Sequence, residues 1–205
     1  MALRPIISLD LQNIKIVAIM LATMKKLLSF TWEIIKIVVI ALAIVVPIRY
    51  FLFQPFFVKG ESMEPNFQNG DYLIIDELSY RLREPERGEV IVFKYPRNIS
   101  QRYIKRIIGL PGEAVEIKDG KVTVYQKNSE IKVLDESDYL PAYLQTSGNF
   151  QINLNENEYL VLGDNRPSSS DSRIWGPLPK EDIIGRVLIR AWPAAAIAKI
   201  EAPAY

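Results

Sequence analysis

The 205-residue sequence predicts a mainly β domain, antiparallel and barrel-like, preceded by an N-terminal transmembrane helix. Three observations carry this expectation. A long apolar run is confined to the N-terminal quarter. Beyond Phe57 the chain breaks into short runs rich in β-branched and aromatic residues. Turn signals separate those runs, among them Asn69-Gly70, Pro111-Gly112, Asp119-Gly120 and Gly163-Asp164-Asn165.

The N-terminal quarter holds two apolar stretches. Ile16 to Met24, between Lys15 and Lys25-Lys26, is too short to span a bilayer. Ile34 to Phe53 is longer and has an uncharged run from Ile37 to Ile48. At ~1.5 Å per helical residue it covers roughly the ~30 Å hydrocarbon core. Lys36 and Arg49 stand where long side chains snorkel to headgroups, and Pro47 is expected to kink the helix near one end. Trp32, Tyr50, Phe51 and Phe53 suit the interfaces. Ala41-Leu42-Ala43 has the spacing of a cleavage site but lies inside the apolar run, and Pro47-Ile48-Arg49-Tyr50-Phe51 follows it. An uncleaved anchor therefore fits better than a signal peptide. Lys25 and Lys26 then keep the N-terminus cytoplasmic, with the chain beyond the anchor on the extracytoplasmic or lumenal side. The expected organisation is a cytoplasmic segment over 1–29, an anchor with membrane-proximal aromatics over 30–57, and a folded domain over 58–205.

Within that domain, strands are expected at Asp71–Ile75, Glu89–Phe93, Arg102–Ile108, Ala114–Ile117, Lys121–Tyr125, Glu158–Leu162 and Ile183–Trp192. Asp119-Gly120 is a two-residue hairpin signal. Residues 126–157 are polar and weakly patterned, and are expected to be an insertion. Many short strands with frequent turns favour an antiparallel barrel-like arrangement.

Composition narrows the chemistry. Histidine and cysteine are both absent, which excludes a Ser-His-Asp triad, a Cys-His pair and any His- or Cys-ligated metal. Formal charge is +1, so bulk nucleic-acid binding is not indicated, and nothing calls for a cofactor. A hydroxyl nucleophile needs a base, and a Ser-Lys dyad is the leading arrangement left. Ser62 lies between Gly60 and Pro65 in a turn or extended loop, in Gly60-Glu61-Ser62-Met63-Glu64-Pro65. Lys105 shares a strand face with Tyr103 and Ile107, while Arg102, Ile104, Arg106 and Ile108 face the other way. An apolar setting of this kind neutralises a lysine by desolvation. Alternation alone does not separate Lys105 from Lys94. Ser129-Glu130-Ile131-Lys132 formally matches a Ser-x-x-Lys pattern but lacks the helical setting that pattern needs. The loop Gly163 to Pro177 is dense in small polar residues, suited to bonding its own backbone or to orienting an amine.

Together, Arg87-Gly88-Glu89-Val90-Ile91-Val92-Phe93, the segment Tyr103 to Glu113 and the loop Gly163 to Pro177 closely resemble the type I signal peptidases. The resemblance covers the anchor and nearly all of the domain. It implies a membrane-anchored serine endopeptidase that removes signal peptides from exported preproteins at Ala-x-Ala type sites, at the bilayer and near the export translocon. It also implies an acyl-enzyme on Ser62 with Lys105 as general base, and Ser169 hydrogen-bonded to the lysine amine. Asp164, Arg166, Asp171 and Arg173 match bracing residues, and Phe56, Val58, Met63, Tyr103 and Ile104 match substrate-pocket positions. Gly60 stands where some relatives carry a serine whose hydroxyl helps hold the oxyanion. The alternative from another class is a membrane-tethered, non-catalytic binding module of the same fold.

Overall fold

The computed structural model describes residues 5–51, 53–203 and 205. The helix up to Ile48 and the chain from Arg49 onward are separate compact units.

The first unit is dominated by helix α1, which runs from Pro5 to Phe51. No glycine interrupts this stretch, and its alanines, leucines and methionines favour the helix. Both apolar stretches lie in this one element, with Lys25-Lys26 between them. Every side chain from Asn13 to Val46 is exposed. That 34-residue span is long and apolar enough to cross a membrane. At ~1.5 Å per residue it exceeds the ~30 Å hydrocarbon core, so in a spanning arrangement part of it would extend beyond that core or tilt within it. Of the expected interfacial run, Leu52 lies outside the described residues, as do the side chains of Tyr50, Phe51 and Phe53.

The second unit is built on twelve strands: β1 (Phe53–Phe57), β2 (Tyr72–Asp76), β3 (Val90–Tyr95), β4 (Asn98–Gly109), β5 (Ala114–Lys118), β6 (Lys121–Tyr125), β7 (Ile131–Val133), β8 (Phe150–Asn153), β9 (Glu158–Leu162), β10 (Leu178–Pro179), β11 (Ile183–Trp192) and β12 (Ala198–Lys199). A short helix, α2, spans Ser172–Trp175. The larger sheet has the order β1-β2-β11-β3-β4-β9-β10, with β12 on β11, and the smaller has the order β7-β6-β5-β8. All the pairings among them are antiparallel. The antiparallel expectation holds, while the described strands form two open sheets rather than one closed barrel.

The larger sheet is buried on both faces, which explains the unbroken apolar run in β3. Val90 and Val92 join Leu73, Ile75, Ile104 and Val187 in one cluster. Ile91 and Phe93 join Ile107, Tyr159, Val161 and Trp175 in another. The smaller sheet covers a third, formed by Ile108, Val115, Ile117, Val122, Val124, Leu154, Leu160 and their neighbours.

Two segments differ from the sequence reading. β1 pairs with β2 from Phe53↔Asp76 to Phe57↔Tyr72, so the sheet begins before residue 58. Residues 126–157, expected as an insertion, supply both edges of the smaller sheet, because β7 pairs with β6 and β8 with β5. This segment buries Leu134, Leu140, Leu144 and Leu154.

Candidate active site

Ser62 stands in the loop joining β1 to β2. Two backbone bonds of 2.9 Å, Val58 N–H to Asp71 O and Gly70 N–H to Val58 O, close the neck of that loop. Gly60 has φ +87°, a conformation that favours glycine, and its N–H donates to Asn69 Oδ1 at 3.0 Å. Met63 and Phe67 are fully buried in the core and pin the loop on the residue just after Ser62. Burying side chains of this size stabilises by about 1.5–3 kcal/mol each. Ser62 itself stays half-buried.

Lys105 reaches the serine from the middle of β4, where it pairs with Ile91. It is only 3% exposed. Its Nζ lies 2.7 Å from Ser62 Oγ and 2.8 Å from Ile104 O. The Tyr103 ring centroid is 5.6 Å from the amine, and Tyr103 is itself stacked on Tyr95. Burial pulls the Lys105 pKa down to about 8, against the weaker opposing pull of Asp171 and Asp164. Both carboxylates are engaged by arginines, which dilutes their field at the amine. Lys94 is exposed, so burial separates the two lysines that strand alternation left equivalent. The Ser129–Lys132 pattern is not helical: Ser129 has φ +68°, and Lys132 lies on β7 with its Nζ donating to Tyr205 O at 2.6 Å.

Around the pair runs a network of buried ions. Asp164 is fully buried and accepts from Arg106 Nε at 2.9 Å, Arg106 Nη2 at 2.7 Å and Asn66 Nδ2 at 2.8 Å. Arg106 follows Lys105 in β4 but faces the other way, over the Tyr139 ring at 4.1 Å. Asp171, also fully buried, accepts from Arg173 Nε and Nη2, both at 2.8 Å, and from Gly163 N–H at 3.1 Å. Burial alone would raise the Asp171 carboxyl, but the Arg173 guanidinium holds it below the usual carboxylate range. Arg166 donates to Glu136 at 2.7 and 2.5 Å and to Gly163 O at 3.1 Å, and it also meets Thr146 Oγ1. Arg173 Nη2 caps Arg166 O at 2.7 Å.

Residues 31–192 match the family model described as signal peptidase, peptidase S26. The chain is also 42% identical over 172 residues to the probable signal peptidase I-2 of Synechocystis sp., covering 80% of this chain and 74% of that protein. The chain belongs to the signal peptidase family, peptidase S26. It is accordingly a peptidase, and its apolar helix is consistent with a membrane anchor. Signal peptidase I of Leptolyngbya laminosa is 33% identical over 179 residues, covering 82% of this chain and 83% of that one. A crystal structure of a signal peptidase I from Enterococcus faecalis is 32% identical with a TM-score of 0.42, covering 51% of this chain and 97% of that chain.

In this signal peptidase the expected residues separate into groups. Ser62 and Lys105 are in contact, and Asp164, Arg166, Asp171 and Arg173 lie together in the ion network. Ser169 makes no hydrogen bond to Lys105. Its Oγ is buried with no partner within hydrogen-bonding geometry among the described residues, and it packs so close to Gly163 that a Cβ there would stand 2.1 Å from it. The amine is met instead by Ser62 and Ile104 O. Phe56, Tyr103 and Ile104 line a cleft of about 780 Å³ that also contains Ser62 and Lys105. Val58 and Met63 do not line it. They belong to the core beneath, because the loop uses them as anchors.

The sequence reading missed Asn66, Arg106, Glu136 and Asn165. Arg106 was legible only as the cation turned away from the lysine, and no local pattern marks Glu136. Gly163 has a mechanical reason to lack a side chain, since a Cβ would also come within 2.4 Å of Ser62 O.

Proposed function

We propose that this signal peptidase removes N-terminal signal peptides from exported preproteins, cutting after small residues at Ala-x-Ala type sites. The reaction runs through an acyl-enzyme on Ser62 with Lys105 as general base. The observation that carries the reading is the 2.7 Å contact between a hydroxyl and an amine that burial holds near pKa 8. A non-catalytic module has no use for a lysine held close to neutrality.

In the proposed sequence the neutral Lys105 amine accepts the Ser62 Oγ proton as Oγ attacks the scissile carbonyl carbon. The ammonium gives that proton to the leaving amine as the C–N bond breaks. Water then attacks the ester, its proton taken by the regenerated amine, and Ser62 leaves as the hydroxyl. The Ser62 N–H has no hydrogen-bond acceptor among the described residues and serves as an oxyanion donor. A serine at position 60 would have to adopt φ +87°, so this site relies on backbone there rather than on a hydroxyl.

Substrate access follows from the strand edges. β4 pairs with β9 only from Arg106 onward, which leaves the flank of Ser100–Ile104 open, and β1 is the terminal strand of its sheet. Both edges border the cleft, where an extended peptide gains main-chain hydrogen bonds. Phe56, Tyr103 and Ile104 occupy the cleft with large apolar side chains, which favours small substrate residues. Anchoring through α1 would keep the enzyme at the membrane that exported preproteins cross, in the vicinity of the export translocon.

The test uses a preprotein with an Ala-x-Ala site and versions with leucine at either alanine, with products identified by mass spectrometry. Cutting after the second alanine, lost in the leucine versions, is expected. Cutting indifferent to leucine contradicts the specificity, and no cutting of any preprotein contradicts the function.

A further inference from the structure

We propose that Asn165 is a positioning residue for the oxyanion donor of this site, a role that rests on reading Ser62 as the nucleophile. Asn165 Nδ2 donates to Glu61 O at 3.1 Å, and Asn165 N–H donates to Ser62 O at 3.0 Å. A peptide unit is planar, so the Glu61 carbonyl and the Ser62 N–H point in opposite directions within one rigid plane. Holding the Glu61 oxygen aims the Ser62 N–H. The second bond fixes the following plane in the same way. One residue thus sets both peptide planes that flank the nucleophile.

The loop needs this help. Gly60, just upstream, is the residue type with the widest backbone freedom. Among the described residues, Glu61 O is otherwise met only by Glu64 N–H at 3.1 Å, a bond that lies within the loop and moves with it. Asn165 reaches in from the far end of β9 and is itself anchored. Its own carbonyl accepts from Ser168 N–H at 3.0 Å, and its neighbour Asp164 grips Arg106, the residue after Lys105. Consecutive residues therefore tie down the base-bearing strand and the nucleophile loop. A carbonyl at Glu61 can be met only by the NH₂ side of the amide, so an aspartate at 165 would repel it while keeping the same size.

The test uses the full chain in detergent with a peptide substrate bearing the Ala-x-Ala site, comparing Asn165→Ala and Asn165→Asp with wild type. Both variants retain the backbone N–H to Ser62, so only the aiming of the Ser62 N–H is lost. The expected result is a kcat roughly 10–100-fold lower, less than the loss of a whole oxyanion donor, with KM changed by less than about two-fold. The pH midpoint set by Lys105 stays in place. A peptide aldehyde ending in alanine adds Ser62 Oγ to its carbonyl carbon, with the hydroxyl proton ending on the new hemiacetal oxygen. Its affinity should weaken in proportion to kcat/KM, while the cleaved product peptide binds as before. Should Asn165→Ala fail to fold, the isosteric Asn165→Asp decides. Wild-type kcat in the folded variants, or equal weakening of aldehyde and product, overturns the proposal. Ser62→Ala in the same assay keeps the two readings apart: if it remains active, the nucleophile assignment falls, and if it is dead beside fully active Asn165 variants, only the positioning role falls.

Discussion

A lysine serves as a base only when its amine is neutral, and the burial of Lys105 brings that condition down from near pH 10.5 to near pH 8. With its pKa lowered to about 8, cleavage should rise with pH, reach half its plateau near pH 8 and fall about tenfold per unit below. The same shift affects stability. Between about pH 8 and 10.5 the unfolded chain binds a proton that the folded chain does not, so stability rises with pH across that window. Below it the fold carries the full cost of a buried ammonium, on the order of 3 kcal/mol. Lys105→Met should therefore be more stable than wild type at pH 7 by about that amount, with the difference gone above the window, as read from urea unfolding at several pH values. A less stable Lys105→Met at pH 7 contradicts this. The sequence exposed much of the site at this scale. Strand alternation put Lys105 beside Tyr103 and Ile107, but it did not distinguish Lys94, because the difference is one of tertiary burial: Lys105 is buried and Lys94 is exposed. The resemblance to the type I signal peptidases placed Val58 and Met63 in the pocket, and nothing local shows that the loop uses them as anchors.

At the scale of elements, strands with strong β-branched patterns were legible: β6, β9 and β11 fall where the residues indicate. β1 was hidden because its aromatics continue the apolar anchor, and its pairing with β2 is a tertiary fact. Residues 126–157 were hidden for the opposite reason, as β7 and β8 are short and half exposed. This segment carries Glu136, whose pairing with the buried Arg166 guanidinium ties it to the loop that carries Asp164 and Asp171. Glu136→Ala leaves that guanidinium buried and unpaired, and should cost about 3–5 kcal/mol in chemical denaturation. A loss below about 1 kcal/mol would mean that Thr146 Oγ1 and the Tyr139 hydroxyl, which accepts from Arg166 Nη2 at 3.1 Å, suffice to hold Arg166.

At the scale of the whole molecule, an apolar helix without burial and a β domain with its own core are encoded in one chain with near-zero net charge. That division was the clearest signal in the sequence, because hydropathy changes abruptly near Phe57. The expected orientation is testable because the chain has no cysteine. Ser147→Cys, at an exposed position of the β domain, should react with a membrane-impermeant maleimide added outside intact cells, and Ala2→Cys should not. The opposite labelling contradicts an extracytoplasmic site. In the proposed mechanism Ser62 and Lys105 act together on a signal peptide. The decisive measurement is cleavage of a preprotein bearing an Ala-x-Ala site by wild type, Ser62→Ala and Lys105→Met, each shown to be folded. Cleavage by wild type and none detectable by either variant is the expected result. An active Lys105→Met enzyme would remove the base, and an active Ser62→Ala enzyme would remove the nucleophile and the mechanism with it.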